Sequence, residues 1–256
     1  MISQSLLASE YYAKAQPVDE FALKSSVSGQ VLKVDESQEG KLSEGSAVIM
    51  IDDKVNQVEL KSSKEKLVFL ATNIRLAKQS VTNAAKMMQI SQTNYDRVKD
   101  LSSYSKVQKD AKLLSSISAT NTYIQSKTSL ENLKTQRSDL KVRIATLKDT
   151  IEKKNIHVEK GLLLYKLYPN VGDFVTMGSP LLDAADTSKA RLTVFVTKED
   201  LKAIQEKTIY IDDKATTYKI DKLWNVADTK NISAYKTEIV IEKPAVFSTL
   251  MKVEFK

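Results

Sequence analysis

The chain has 256 residues, 42% of them apolar, with 39 Lys and Arg against 32 Asp and Glu, for a net charge of +7. The absence of cysteine excludes disulfides, thiolate metal sites, cysteine nucleophiles and a cysteine-borne lipid anchor. No run of 18 apolar residues is present to span a bilayer, and no basic cluster interleaved with aromatics points to nucleic acid.

Residues 1–20 read as a tail or the remnant of a secretion signal. Ile2, Leu6, Leu7 and Ala8 are apolar and Ala13-Lys14-Ala15 has the small-x-small form of a cleavage site, although a basic n-region is missing. Residues 21–54 follow as a strand-rich segment. Gly29-Gln30-Val31-Leu32-Lys33-Val34 is a strand, Gly40 and Gly45 mark turns, and Val48-Ile49-Met50-Ile51 closes on Asp52.

Between Gly45 and Gly161 there is neither glycine nor proline. Apolar residues return there every seven positions: Leu60, Leu67, Ile74, Val81, Met88 and Tyr95 in one series, Leu133, Leu140 and Leu147 in another. Such a narrow stripe is covered only by a partner helix, so residues 55–156 are predicted to form a coiled coil. One unbroken rod would reach about 150 Å, whereas two helices of about 70 Å folded back on each other close their own seam. Asp100-Leu101-Ser102-Ser103-Tyr104-Ser105 supplies the turn. The expected seam sets Leu67, Ile74 and Val81 against Leu133, Leu140 and Ile144.

Residues 157–187 repeat the front segment. Gly161 opens a strand, Gly172 follows eleven residues later as Gly40 follows Gly29, Gly178 answers Gly45, and Pro180-Leu181-Leu182 closes on Asp183. Either copy alone is too small to bury an apolar face, so the two are expected to pack as one β-sandwich with the hairpin inserted at its tip. All six glycines, Gly29, Gly40, Gly45, Gly161, Gly172 and Gly178, are expected at its turns. Residues 188–256 alternate as half-buried strands do, at Leu192/Val194/Val196, Ile209/Ile211, Ile239/Ile241 and Val253/Phe255, with a helical pattern over Glu199 to Lys207. A small β-barrel with one helix is the expected shape, and the whole is an elongated α+β chain.

This order resembles the periplasmic adaptor, or membrane fusion (HlyD-like), proteins of tripartite efflux systems: half of a lipoyl-like domain, a helical hairpin, the other half, then a β-barrel. The resemblance runs from about Phe21 onward. It is carried by Val27-Ser28-Gly29-Gln30-Val31 with Gly40 through Gly45, by Gly161 with residues 171–182, and by Ala185-Asp186-Thr187 with residues 191–201. The family implies an adaptor without catalytic activity or cofactor, peripheral to the inner membrane in the periplasm. The implied partners are an inner-membrane transporter, of the proton-driven RND class ahead of the ATP-driven ABC class, and a TolC-like outer-membrane channel. Several copies would stand in a ring, as a trimer or hexamer. Arg97 and Leu101 match the Arg-x-x-x-Leu of the tip motif that meets the channel. Where the family places a serine seven residues after the leucine this chain has Gln108, and Ser105 lies four after it, so the resemblance assigns the tip to Arg97, Leu101 and Ser105. Many members carry a further membrane-proximal domain, expected to be missing or reduced here because the chain stops at Phe255-Lys256.

Other residues with possible chemistry read as structural. Lys54 stands where a carrier domain bears its lipoyl or biotinyl group, but the chain enters a long helix there instead of a tight hairpin tip. His157 is the only histidine and has no ligand partner one helical turn away. Met87 and Met88, with Met50, Met177 and Met251 dispersed, are expected to pack rather than bind a soft metal. Gly172 to Gly178 lacks the Gly-Lys-Ser ending of a phosphate loop. Two rival readings stand beside the adaptor: a carrier-type domain modified at Lys54, and a coiled-coil scaffold with no transport role.

Overall fold

The computed structural model describes residues 9–201, 204–227 and 234–256. They divide into two compact units, one from residues 52–154 and the other from the flanking segments.

The helical unit is an antiparallel pair, α1 (Lys54–Val98) and α2 (Lys106–Lys153). On α1 the buried and half-buried residues from Leu60 to Val98, Ser62 and Ala85 apart, fall on alternating steps of three and four. This pattern needs two heptad series. One is the apolar series read from the sequence; the other is Ser63, Leu70, Ala77, Ala84, Ser91 and Val98. The second series is mostly small, so it lets the helices approach but contributes little apolar contrast.

In the flanking unit the strands are β1 (Glu10–Lys24), β2 (Gly29–Val34), β3 (Ala47–Ile51), β4 (Asn155–His157), β5 (Leu163–Leu167), β6 (Phe174–Val175) and β7 (Pro180–Val196). After the four-residue helix α3 (Lys198–Leu201) come β8 (Ile209–Ile211), β9 (Lys214–Ala215), β10 (Ile220–Ala227), β11 (Tyr235–Glu242) and β12 (Leu250–Phe255). A four-stranded sheet of order β4-β3-β2-β6 sets the paired strands of the first copy in the middle and flanks them with strands that follow the hairpin: β2 pairs with β6 and β3 with β4. Both copies feed one core, with Val31, Val48, Ile49 and Ile51 from the first and Leu164, Val175, Leu181 and Leu182 from the second.

The two copies also clasp each other by the same backbone exchange, used twice. Gly40 donates its N–H to the Leu164 carbonyl at 2.8 Å while Leu164 donates to Lys41 at 3.0 Å. Gly172 donates to Val31 at 2.9 Å while Val31 donates to Asp173 at 2.8 Å. Each glycine has positive φ, +73° and +97°, which leaves its N–H free to point across at the other copy. Gly29 departs from the expectation that all six glycines occupy such turns. It has no positive φ and is the first residue of β2, opposite Val175.

The long strands β1 and β7 pair along most of their length and link the sandwich to a second core. That core is built from Ala13, Ala15, Leu192, Val194, Val196, Ile209, Ile239, Ile241, Val253 and Phe255, on a sheet of order β10-β11-β7-β1-β12-β8-β9. It is a half-barrel: among the described residues no ladder joins β9 to β10.

Two expectations are corrected here. Residues 10–20 are not a tail, because they form most of β1. Ala13 and Ala15 are small because they face the half-barrel core, at 2% and 0% exposure, while Lys14 between them points outward. The small-x-small pattern is strand alternation. Residues 1–8, the rest of the expected leader, lie outside the described residues. The helix expected over Glu199–Lys207 is α3 alone, capped by Thr197 Oγ1 accepting from Asp200 N; residues 202–203 lie outside the described residues.

Candidate docking site at the hairpin turn

The turn is short because α2 starts with a complete capping box. Ser105 Oγ accepts from the Gln108 backbone N–H at 3.3 Å, and Gln108 Oε1 accepts from the Ser105 N–H at 2.9 Å. The long Gln108 amide reaches back to the cap, which a shorter side chain at this position would not do. The Ser105 hydroxyl is engaged within its own helix. On the other side α1 runs to Val98, and Leu101 N donates to the Val98 carbonyl at 3.2 Å.

A chain of polar contacts braces this end. Ser116 Oγ donates to Gln92 Oε1 across the seam at 2.7 Å, Gln92 Nε2 donates to Asp96, and Lys99 pairs with Asp96 at 3.2 Å. Gln92 and then Lys99 hold the Asp96 carboxyl below its ordinary range, and Asp96 in turn raises Lys99. With Asp96 so occupied, Arg97 is exposed and forms no ion pair among the described residues. Leu101 is 47% exposed, Tyr104 38% and Val107 78%. The turn thus presents Arg97, with Lys106 also exposed there, beside Leu101, Tyr104 and Val107, a combination suited to filling a groove and bonding backbone carbonyls in another protein.

Of the expected seam residues, Ile74 is buried, and Leu67, Val81, Leu133, Leu140 and Ile144 are half-buried. Two cross-helix contacts set the register: Glu59–Arg143 at 3.2 Å along one edge and Gln92–Ser116 along the other. By this register Leu67 lies level with Leu140 and Ile144, Ile74 with Leu133, and Val81 with Ser126 and Leu130 nearer the turn. Sequence reasoning missed Ser63, Ala84 and Ser116, all buried in the seam. Their signal was spacing alone, since Ser and Ala have no apolar contrast with neighbouring surface positions.

The other candidates stay separate. Lys54 opens α1, its backbone N–H accepted by Asp52 Oδ1. His157 is exposed on β4, with Nδ1 3.3 Å from the Gly45 carbonyl oxygen. Met87 and Met177 are exposed on different units, and among the described residues no three His, Cys, Asp or Glu converge on a metal-sized site. No helix is long and apolar enough to cross a membrane.

No family model and no curated protein matches this sequence. Solved structures do. MacA from Actinobacillus actinomycetemcomitans aligns at TM-score 0.69 with 17% identity, over 97% of this chain and 78% of that one. The membrane fusion protein Spr0693 from Streptococcus pneumoniae R6 aligns at 0.60 with 12% identity, over 97% and 98%. A MacA-MexA chimera carrying the Pseudomonas aeruginosa MexA α-hairpin aligns at 0.63 with 14% identity, over 97% and 81%. At these identities the likeness is one of architecture: a split lipoyl-like sandwich, an inserted hairpin and a barrel-type sheet, which together are the fold of the membrane fusion, or periplasmic adaptor, proteins.

Proposed function

We propose that this chain is the adaptor subunit of an export system, non-enzymatic and periplasmic, joining an inner-membrane transporter to a TolC-like outer-membrane channel. The observation that carries the reading is the turn itself. A pair of helices about 70 Å long ends in Arg97, Leu101 and Tyr104, all open to solvent and none of them used in the seam. The work is geometric: the β-unit engages the transporter, of the RND class ahead of the ABC class, and the turn docks between helices of the channel.

Side-by-side assembly into a ring of three or six is supported by the flanks. Ile117 and Ile124 are exposed on the Gln92–Ser116 edge, and Met87 and Ile90 on the Glu59–Arg143 edge, at the same distance from the turn. Copies standing parallel bring these two patches together in a heterologous contact, the kind from which closed rings are built. Ser105 contributes by starting α2 rather than by touching the channel.

The test is a crosslinking assay to the channel run beside an export assay. Arg97→Asp with Leu101→Asp changes only surface positions, with about 0.5 kcal/mol expected on folding for each. Export and crosslinking are expected to fall together while transporter binding survives. A folded double variant that crosslinks and exports like the parent overturns the tip-docking reading.

A further inference from the structure

The positive charge of this protein sits on the hairpin. Residues 52–154 hold 20 Lys and Arg against 11 Asp and Glu, a net +9 in a chain whose total is +7. The flanking segments are therefore slightly acidic. Most of the excess lies along one edge. On α2, Lys127, Lys134, Lys141 and Lys148 recur every seven residues, and on α1 Lys64 and Lys78 stand two heptads apart.

Heptad phase and the cross-helix contacts place these six along the same edge as Gln92–Ser116, on the half of the hairpin away from the turn. Lys61 and Arg75 stand one helical turn before Lys64 and Lys78 and widen the strip. Between the levels of Lys127 and Lys148 this edge carries a single carboxylate, Glu131, which Lys134 holds at 2.7 Å. The opposite edge is balanced, Glu59 and Asp139 against Lys66 and Arg143, with Glu59 and Arg143 paired.

Like charges in this number cost free energy through mutual repulsion, and neither the seam nor the turn uses them. We propose that this lysine edge is a docking surface for a helix of a different protein that carries Asp or Glu at seven-residue intervals. Three observations select that occupant. The α2 lysines are about 10.5 Å apart along the axis, which is the spacing of residues one heptad apart on another helix. Ala71 on α1 and Ala145 on α2 lie among the lysines, and small side chains let a third helix come close. A second copy of this chain is not the complement, because its other edge has no row of acids. The surface is also separate from the proposed copy-to-copy contact, which lies on the half near the turn.

The probe is a labelled 28-residue helical peptide with Glu at both flanking positions of every heptad, titrated into the full chain and followed by anisotropy. Binding is expected to weaken about tenfold or more from low to physiological salt, as charges in the interface become screened. It should weaken about tenfold again when Lys127, Lys134, Lys141 and Lys148 are all changed to Gln, a substitution with nearly the same helix propensity, and helicity should be unchanged. A second peptide with the same composition but its Glu residues spread around the helix should bind about tenfold more weakly, because it cannot present a row. Equal binding of the two peptides overturns the proposal. So does tighter, spacing-independent binding of heparin or of phosphatidylglycerol vesicles, since either result makes the edge a general polyanion or lipid surface.

Discussion

The hairpin and the split sandwich solve the same burial problem with different depth. In the hairpin each seam residue is buried by neighbours one or two turns away and by one facing helix, and few are fully covered: Ile74 at 4%, Leu60 and Ala84 at 8%. In the sandwich Val31, Ile49, Leu164 and Leu181 are at 1% or less, and part of what buries each is the other copy, more than 100 residues away in the chain. A coiled coil thus spreads modest burial along a rod, so that damage stays within a few turns. The sandwich concentrates burial where two halves meet, so that damage in either half is felt by both.

The largest effect expected is from the hairpin, tested at its most buried apolar residue. Ile74→Asp puts a carboxylate into a seam position with no cation facing it, at a cost of roughly 3–5 kcal/mol. The helical circular-dichroism signal should melt at lower urea and protease should cut within α1, while the β-unit keeps its own transition. Unchanged melting and proteolysis would mean that the seam does not run through Ile74, and a β-unit that unfolds together with the hairpin would erase the contrast between the two regions.

A smaller effect probes the sandwich through its doubled clasp. At Gly172, φ is +97° and an added Cβ meets nothing within 4 Å, and the same holds at Gly40 with φ +73°. Alanine at either site therefore adds backbone strain without a clash, about 1–2 kcal/mol. The two variants should lower the β-unit midpoint by similar amounts and leave helicity intact. If only one of them does so, the two exchanges are not equivalent in energy, however alike in geometry.

What could be read from the sequence follows the same division. Helices, turn and one seam series were legible because periodicity is local and Leu67 to Val81 or Leu133 to Ile144 contrast with charged neighbours. The sandwich was legible through glycine spacing, which marks Gly40 and Gly172 alike, but Gly29 was misjudged because spacing does not distinguish a strand-opening glycine from one at positive φ. The opening strand was missed. Ala13 and Ala15 are among the smallest core residues of the half-barrel, and two alanines flanking a lysine look the same in a cleavage site and in an alternating strand. The lysine edge was hidden as well, because mixed charges along a helix look balanced until the seam phase separates one flank from the other.

The smallest effect is the one that best separates structure from function at the turn. Ser105 lies three residues short of the position where the resemblance places a channel-contacting serine, and its hydroxyl accepts the Gln108 N–H while its own N–H is bonded by the Gln108 side chain. Removing that cap should cost the start of α2 about 1 kcal/mol, the usual loss for an N-cap serine changed to alanine. This is small against a pair of helices held by their whole seam. Ser105→Ala is therefore expected to fray the first turn, seen as faster amide exchange at Gln108 and Lys109, with little change in global melting. Ser105→Asn separates the two roles, because asparagine caps as well as serine but has no hydroxyl and a different shape. If export recovers with asparagine as the amide exchange does, Ser105 acts by placing the turn. If exchange is restored and export is not, the serine itself touches the channel and its assignment to capping alone is wrong.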